Sequence, residues 1–88
     1  MYYTYVIQSE KDGKFSTGFT GDLRIRLNEH NTGKVPSTKN RGPFRIIYYE
    51  ACINEQDATA REKYLTTGMG KRYLKNRLKR FLSPSLTG

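Results

Sequence analysis

At 88 residues the chain can close one hydrophobic core around one site, and with 35% hydrophobic and 12% aromatic residues it is too apolar for a disordered tail. Sixteen Lys plus Arg against eight Asp plus Glu leave a formal charge of +8, which makes a polyanion the natural partner. The single cysteine, Cys52, excludes an internal disulfide and a multi-cysteine zinc site.

In chain order, Tyr2 to Ser9 and Lys14 to Thr20 are rich in aromatic and β-branched residues and flank Asp12-Gly13, a hairpin-turn signal. They predict an antiparallel pair with Tyr3 and Tyr5 on one side and Thr4 and Val6 on the other. A helix is expected from Asp22 to His30, with Leu23 and Leu27 one turn apart and Asn31-Thr32-Gly33 as the stop. Lys34 to Pro43 reads as a basic surface loop that cannot bury itself, and Phe44 to Cys52 as a third strand. Asn54 should cap a helix running to Thr66, with Glu55 and Asp57 favourable in its first turn. Gly68 and Gly70 are expected to break it before a last helix from Lys71 to Leu82, whose stripe is Leu74, Leu78, Phe81 and Leu82. One domain over 1–82 and a disordered tail over 83–88 complete the expected organisation. The N-terminus lacks the basic region and cleavage site of a secretory signal, and no apolar run reaches membrane-spanning length, so a soluble cytoplasmic protein, monomer or homodimer, is expected.

Three features stand out against a purely structural reading. Arg26 and His30 lie four residues apart on one helix face, although a solvated pair with Glu29 would also explain them. Glu62 falls on the stripe defined by Ala58 and Leu65, where a carboxylate needs a partner: either Arg61, Lys63 or a strand residue, or a divalent cation. The last helix carries Lys71, Arg72, Lys75, Arg77, Lys79 and Arg80 with no acid among them, a composition suited to phosphates, and Lys34, Lys39 and Arg41 add charge from the loop. Asn76, inside that run, offers a hydrogen-bonding group. Among the seven tyrosines, a phenol can act as a base only with a cation such as Arg26 nearby.

Tyr3-Thr4-Tyr5, then Gly18 with Thr20, then Leu23, Arg26 and His30, then Glu62 in Ala-Arg-Glu-Lys-Tyr-Leu, and finally Asn76, follow one another in an order that resembles the GIY-YIG nuclease superfamily. The resemblance is closest to its small stand-alone bacterial members, of the UPF0213 type, and covers Tyr2 to about Leu82. It implies an α/β (α+β) fold, a small antiparallel three-stranded sheet flanked by helices. It also implies hydrolysis of DNA phosphodiesters with one Mg²⁺ or Mn²⁺ ion and no small-molecule cofactor, on branched, damaged or duplex DNA, as in repair. Position by position, Tyr5 matches the tyrosine of the first motif, Arg26 the catalytic arginine, His30 the residue one turn on, Glu62 the metal ligand and Asn76 the downstream asparagine. The chain departs from the family where Tyr-Ile-Gly is usual: it has Ser16-Thr17-Gly18, so the second tyrosine is missing. A serine hydroxyl is shorter by a ring and far less acidic, which leaves two expectations, a weakened endonuclease or a catalytically inactive nucleic-acid-binding module on a nuclease frame. Tyr3 also stands where the first motif usually has Gly.

Overall fold

A computed structural model of the chain describes residues 1–83. Strand β1 (Tyr2–Ser9) is followed by β2 (Phe15–Thr20), helix α1 (Leu23–Asn31), a single 3₁₀ turn (Pro36–Thr38), β3 (Phe44–Cys52) and helices α2 (Glu55–Leu65), α3 (Gly68–Arg77) and α4 (Lys79–Leu82). The three strands form one antiparallel sheet in the order β2-β1-β3, the α+β architecture implied by the sequence. The tail expected over 83–88 lies, apart from Ser83, outside the described residues.

Because β1 is central and pairs on both sides, its two faces are buried in turn. Tyr5 and Ile7 pack with Phe44 against Leu23 and Leu27 of α1, while Val6 packs with Leu65 and Leu74 against α2 and α3. The β1–β3 register shifts between Val6 and Ile7, so Ile7 pairs with Ile46 and Val6 with Tyr48. That bulge lets β3 supply Ile46 to one core and Tyr48 to the other. On the α2 side, Thr4 Oγ1 donates to the Ala58 carbonyl at 2.8 Å, which ties the middle of the sheet to the helix.

Local chemistry accounts for the helix ends. Asp22 caps α1 by accepting from the Ile25 amide, and Asn54 caps α2 by accepting from Gln56 and Asp57. Thr67 caps α3 by accepting from the Gly70 amide. The expected break at Gly68 and Gly70 is therefore corrected: both lie in the first turn of α3, two residues after α2 ends. Gly70 is buried because α3 sits directly on the end of α2, where a Cβ would run into the Tyr64 carbonyl and the Leu65 backbone. The last helix is also divided, with Leu78 closing α3 and opening α4, and Phe81 stays half exposed beneath the Arg45 guanidinium.

A second correction concerns the basic loop. Val35 and Thr38 are buried, the latter only 1% exposed, although the surrounding lysines face solvent. Pro36 starts the 3₁₀ turn, which folds Thr38 back under α1. At the hairpin, Ser9 Oγ accepts from the amides of Lys11 and Asp12, and Gly13 takes a positive φ of 74°. No helix among the described residues is long and apolar enough to cross a membrane.

Candidate active site

The cleft is built at the free edge of the sheet. Ser16, Thr17, Gly18 and Phe19 all line it, and since successive strand residues point to opposite faces, the cleft must wrap around β2 rather than lie on one face. Tyr5 comes from β1, Arg26 and His30 from α1, Thr38 from the loop and Glu62 from α2, around a volume of about 210 Å³. Tyr5, Arg26, His30, Glu62 and Ser16 thus share one cleft. Asn76 does not reach it: it is exposed and lies with Met69, Arg72 and Tyr73 on another part of α3.

The depth of the phenol is set across the β1–β2 ladder, where Tyr5 is the partner of Gly18. A Cβ on Gly18 would fall 2.5 Å from the Tyr5 hydroxyl oxygen, so only glycine lets the ring lie across β2. Once there, Tyr5 Oη is 2.8 Å from His30 Nε2 and accepts from Arg26 Nε at 3.3 Å. His30 Nδ1 is 2.8 Å from Thr38 Oγ1, which donates to the Val35 carbonyl at 3.4 Å. The Thr38 hydroxyl proton being committed to that carbonyl, Thr38 accepts from His30 Nδ1–H, and Nε2 is left to accept from Tyr5. A directed chain results, from Arg26 through Tyr5 and His30 to Thr38. The Arg26 guanidinium is held on its other side by Glu29 at 2.9 Å, which leaves Nη2 with no protein partner among the described residues.

Electrostatics follow from depth and charge. His30, 5% exposed, is held below the usual imidazole range by burial and by the Arg26 charge, so it is neutral at pH 7. Burial raises the Tyr5 phenol even though the Arg26 hydrogen bond and charge pull it down. The cation required beside the phenol is present, but burial outweighs it, and Tyr5 is protonated at pH 7. Burial also raises the Glu62 carboxyl, with Lys63 a smaller opposing influence.

Glu62 forms no hydrogen bond and no ion pair among the described residues. The partner most natural in sequence, Arg61, is taken by Glu50 at 2.9 Å and stacks between Tyr64 and Tyr73. A half-buried carboxylate left without a cation, facing a cleft that holds an arginine, fits a hard divalent ion completed by water and substrate oxygens. No cluster of three or more His, Cys, Asp or Glu side chains occurs among the described residues, so Glu62 would be the one carboxylate ligand.

Ser16, at the position of the missing tyrosine, is the ladder partner of Ile7 and accepts from Arg41 Nη1 at 3.4 Å. Arg41 also pairs with Asp12 at 3.2 Å and lies over the Phe44 ring. The Lys14 amide and Arg41 together hold the Asp12 carboxyl down at about 2. Of the other basic residues, Lys34 and Lys39 are exposed on the loop, Lys71, Arg72, Lys75 and Arg77 on α3, and Lys79 and Arg80 on α4. They do not make one surface: Lys71 and Lys75 face β2, while Arg72 lies with Asn76 on another side of the helix. Successive residues project about 100° apart around a helix, so a run of charges spreads over more than one side, which a count along the sequence does not register. Thr38 was not legible as a site residue, the one signal being a Pro-Ser-Thr step inside an otherwise basic stretch.

The sheet order, the Gly18 seat and the Arg26, Tyr5, His30 arrangement define a nuclease-like frame, and the chain belongs to the GIY-YIG catalytic domain family, whose profile matches residues 1–76. Its relatives include the UPF0213 proteins of Clostridium perfringens, 36% identical over 66 residues covering 74% of this chain and 70% of that one, and of Staphylococcus saprophyticus, 32% identical over 75 residues covering 84% and 90%. The solution NMR structure of the UPF0213 protein of Bacillus halodurans is similar in fold, with a TM-score of 0.52 at 30% identity over 86% of this chain and 84% of the other.

Proposed function

We propose that the chain is a divalent-metal-dependent DNA endonuclease that hydrolyses phosphodiester bonds. The observation that carries this reading is the unpaired Glu62 carboxylate in the cleft that also holds the Arg26, Tyr5, His30 chain. A pure phosphate binder gains nothing from a carboxylate there, because it repels the ligand. Glu62 would hold Mg²⁺ or Mn²⁺, which would supply Lewis-acid polarisation of the phosphate. The remaining steps belong to the protein. The free side of Arg26 meets the non-bridging oxygens and offsets the negative charge that builds on them. Tyr5 Oη accepts a proton from the attacking water while its own proton moves to His30 Nε2, already 2.8 Å away. The water oxygen bonds to phosphorus, the bond to the leaving oxygen breaks, and the departing alkoxide takes a proton from solvent. Thr38 holds the ring in the tautomer that makes the transfer possible. Arg26, a like charge beside the new imidazolium, favours release of that proton. Lys34 and Lys39 of the loop, with Lys71 and Lys75 on the side of α3 that faces β2, meet the phosphate backbone on either side.

Ser16 favours a second reading, a nucleic-acid-binding module that does not cut, since its hydroxyl is engaged by Arg41 and lacks the reach of a phenol. Incubation with nicked, branched and linear DNA in Mg²⁺ or Mn²⁺ separates the two, beside Glu62→Ala and Ser16→Tyr variants. Cleavage that disappears with Glu62→Ala is the expected result; cleavage found only with Ser16→Tyr establishes the binding module instead.

A further inference from the structure

One turn along α2 from Glu62, a second hollow opens on the other side of β2. Its floor is Phe15, Leu65 and Leu74, its wall is Thr17, and Lys71 and Lys75 form its rim, around a volume of about 310 Å³. Thr17 also lines the cleft of Tyr5 and Glu62, so the two cavities are neighbours separated by one edge strand. Thr66, on the hollow's lining, follows Glu62 by one helical turn, a rise of about 5.4 Å and on the order of one nucleotide step, so a strand cut beside Glu62 would carry its next nucleotide toward this hollow.

The lining has the chemistry of a nucleotide. Phe15 presents an apolar ring at the start of β2, 36% exposed, with Leu65 and Leu74 behind it, a surface for a planar heterocycle. Lys71 and Lys75 lie one helical turn apart on the same side, without an ion pair among the described residues, where a phosphate on each side of that heterocycle would sit. No carboxylate among the described residues lines the hollow. Its volume stands at the small end of ligand pockets, which run from about 300 to 1,000 Å³: it admits one base, and a paired base cannot enter it without leaving the duplex.

We propose that this hollow receives the unstacked base of the nucleotide next to the scissile phosphate, so that the substrate is DNA with a single-stranded or splayed nucleotide beside the cut. The proposal rests on the nuclease reading for the position of the cut, and its test does not need cleavage. Binding of a fluorescein-labelled splayed-arm DNA and of a blunt duplex of the same sequence is measured by anisotropy in EDTA at one fixed salt concentration. An abasic nucleotide is then walked along the single-stranded arm. Wild-type protein should prefer the splayed DNA, and one abasic position should weaken binding roughly five- to a hundred-fold, the size of a base-aromatic stack. Phe15→Ala should lose the same factor on intact DNA and become indifferent to that abasic position. Phe15→Tyr, which keeps a stacking ring, should restore the wild-type pattern, and the blunt duplex should be bound alike by all three. Equal affinity for splayed and blunt DNA, or an abasic effect that survives Phe15→Ala, overturns the proposal. An RNA arm bound more tightly than the DNA arm overturns the assignment to DNA. If nothing is ever cleaved and the abasic effect is present, the nuclease reading fails while the base site stands.

Discussion

Replacing Gly18 by alanine tests how the phenol is seated. The added Cβ would lie 2.5 Å from Tyr5 Oη, 2.7 Å from Cζ and 3.1 Å from Cε2. Non-bonded carbon contacts are comfortable near 3.5 Å, so the ring or the strand must retreat by roughly 1 Å. Tyr5 is 3% exposed and packed with Ile7 and Phe44 against Leu23 and Leu27, so its retreat disturbs the core. The displacement opens the 2.8 Å bond to His30 and the 3.3 Å bond from Arg26. Overpacking of about 1–3 kcal/mol, with about 1 kcal/mol for the strained hydrogen bonds, gives a destabilisation of about 2–4 kcal/mol. For a domain of this size, at about 4–8 °C per kcal/mol, that lowers Tm by roughly 8–32 °C. Single-turnover cleavage, measured well below the variant's midpoint, should fall about a hundredfold from the misplacement alone. A variant that melts within 3 °C of the parent, by an estimate of roughly 4–8 °C per kcal/mol, and cuts within a factor of two would refute the seating of Tyr5 on β2.

The remaining expectations follow from the same cleft. Tyr5→Phe keeps the ring but removes both hydrogen bonds of the hydroxyl: single-turnover cleavage should drop about 10²- to 10⁴-fold while stability falls by about 1–3 kcal/mol, and a drop in rate under tenfold would exclude proton transfer through the phenol. His30 is depressed below its unfolded value of 6.5, so between the two pKa values the unfolded chain binds more protons; stability should decline as pH falls through 6.5, cleavage only lower, as pH falls through the depressed folded value, and calorimetry with His30→Gln should show the stability slope reduced. Glu62 is raised above its unfolded 4.5, so ionising it costs stability above that pH, and in EDTA at pH 7 Glu62→Gln should melt slightly higher, by at most about 0.5 kcal/mol after solvent screening, while losing the rise in Tm that Mg²⁺ or Mn²⁺ gives the parent. An equal metal-induced rise in both proteins would place the ion elsewhere.

The strands, the Asn54 cap and the faces of β1 were legible because each rests on local chemistry, namely alternation along eight residues and a polar side chain ahead of a helix. Arg26 and His30 were legible as a pair by their four-residue spacing, and Glu62 as an oddity by its place on an apolar stripe. What escaped was long-range. Nothing near Gly70 in sequence announces that Tyr64 and Leu65 leave no room for a side chain, so two glycines that begin a helix read as the end of one. Thr38 looked like any residue of a polar loop, because its burial depends on an imidazole eight positions earlier. The spread of the basic residues around α3 depended on which side that helix turns to the sheet, and this is decided by Leu74 meeting Val6.

The bond between Thr38 and His30 has a consequence for how the protein meets its ligand. Lys34 and Lys39 stand on the segment whose interior anchor is Thr38, so whatever pulls on those lysines pulls on the back of the imidazole. Backing and grip are one piece of chain. A substitution among residues 34–39 can therefore disturb the orientation of His30 without approaching the reacting phosphate, and chemical-shift changes of the ring on titration with DNA would register events more than one side chain away.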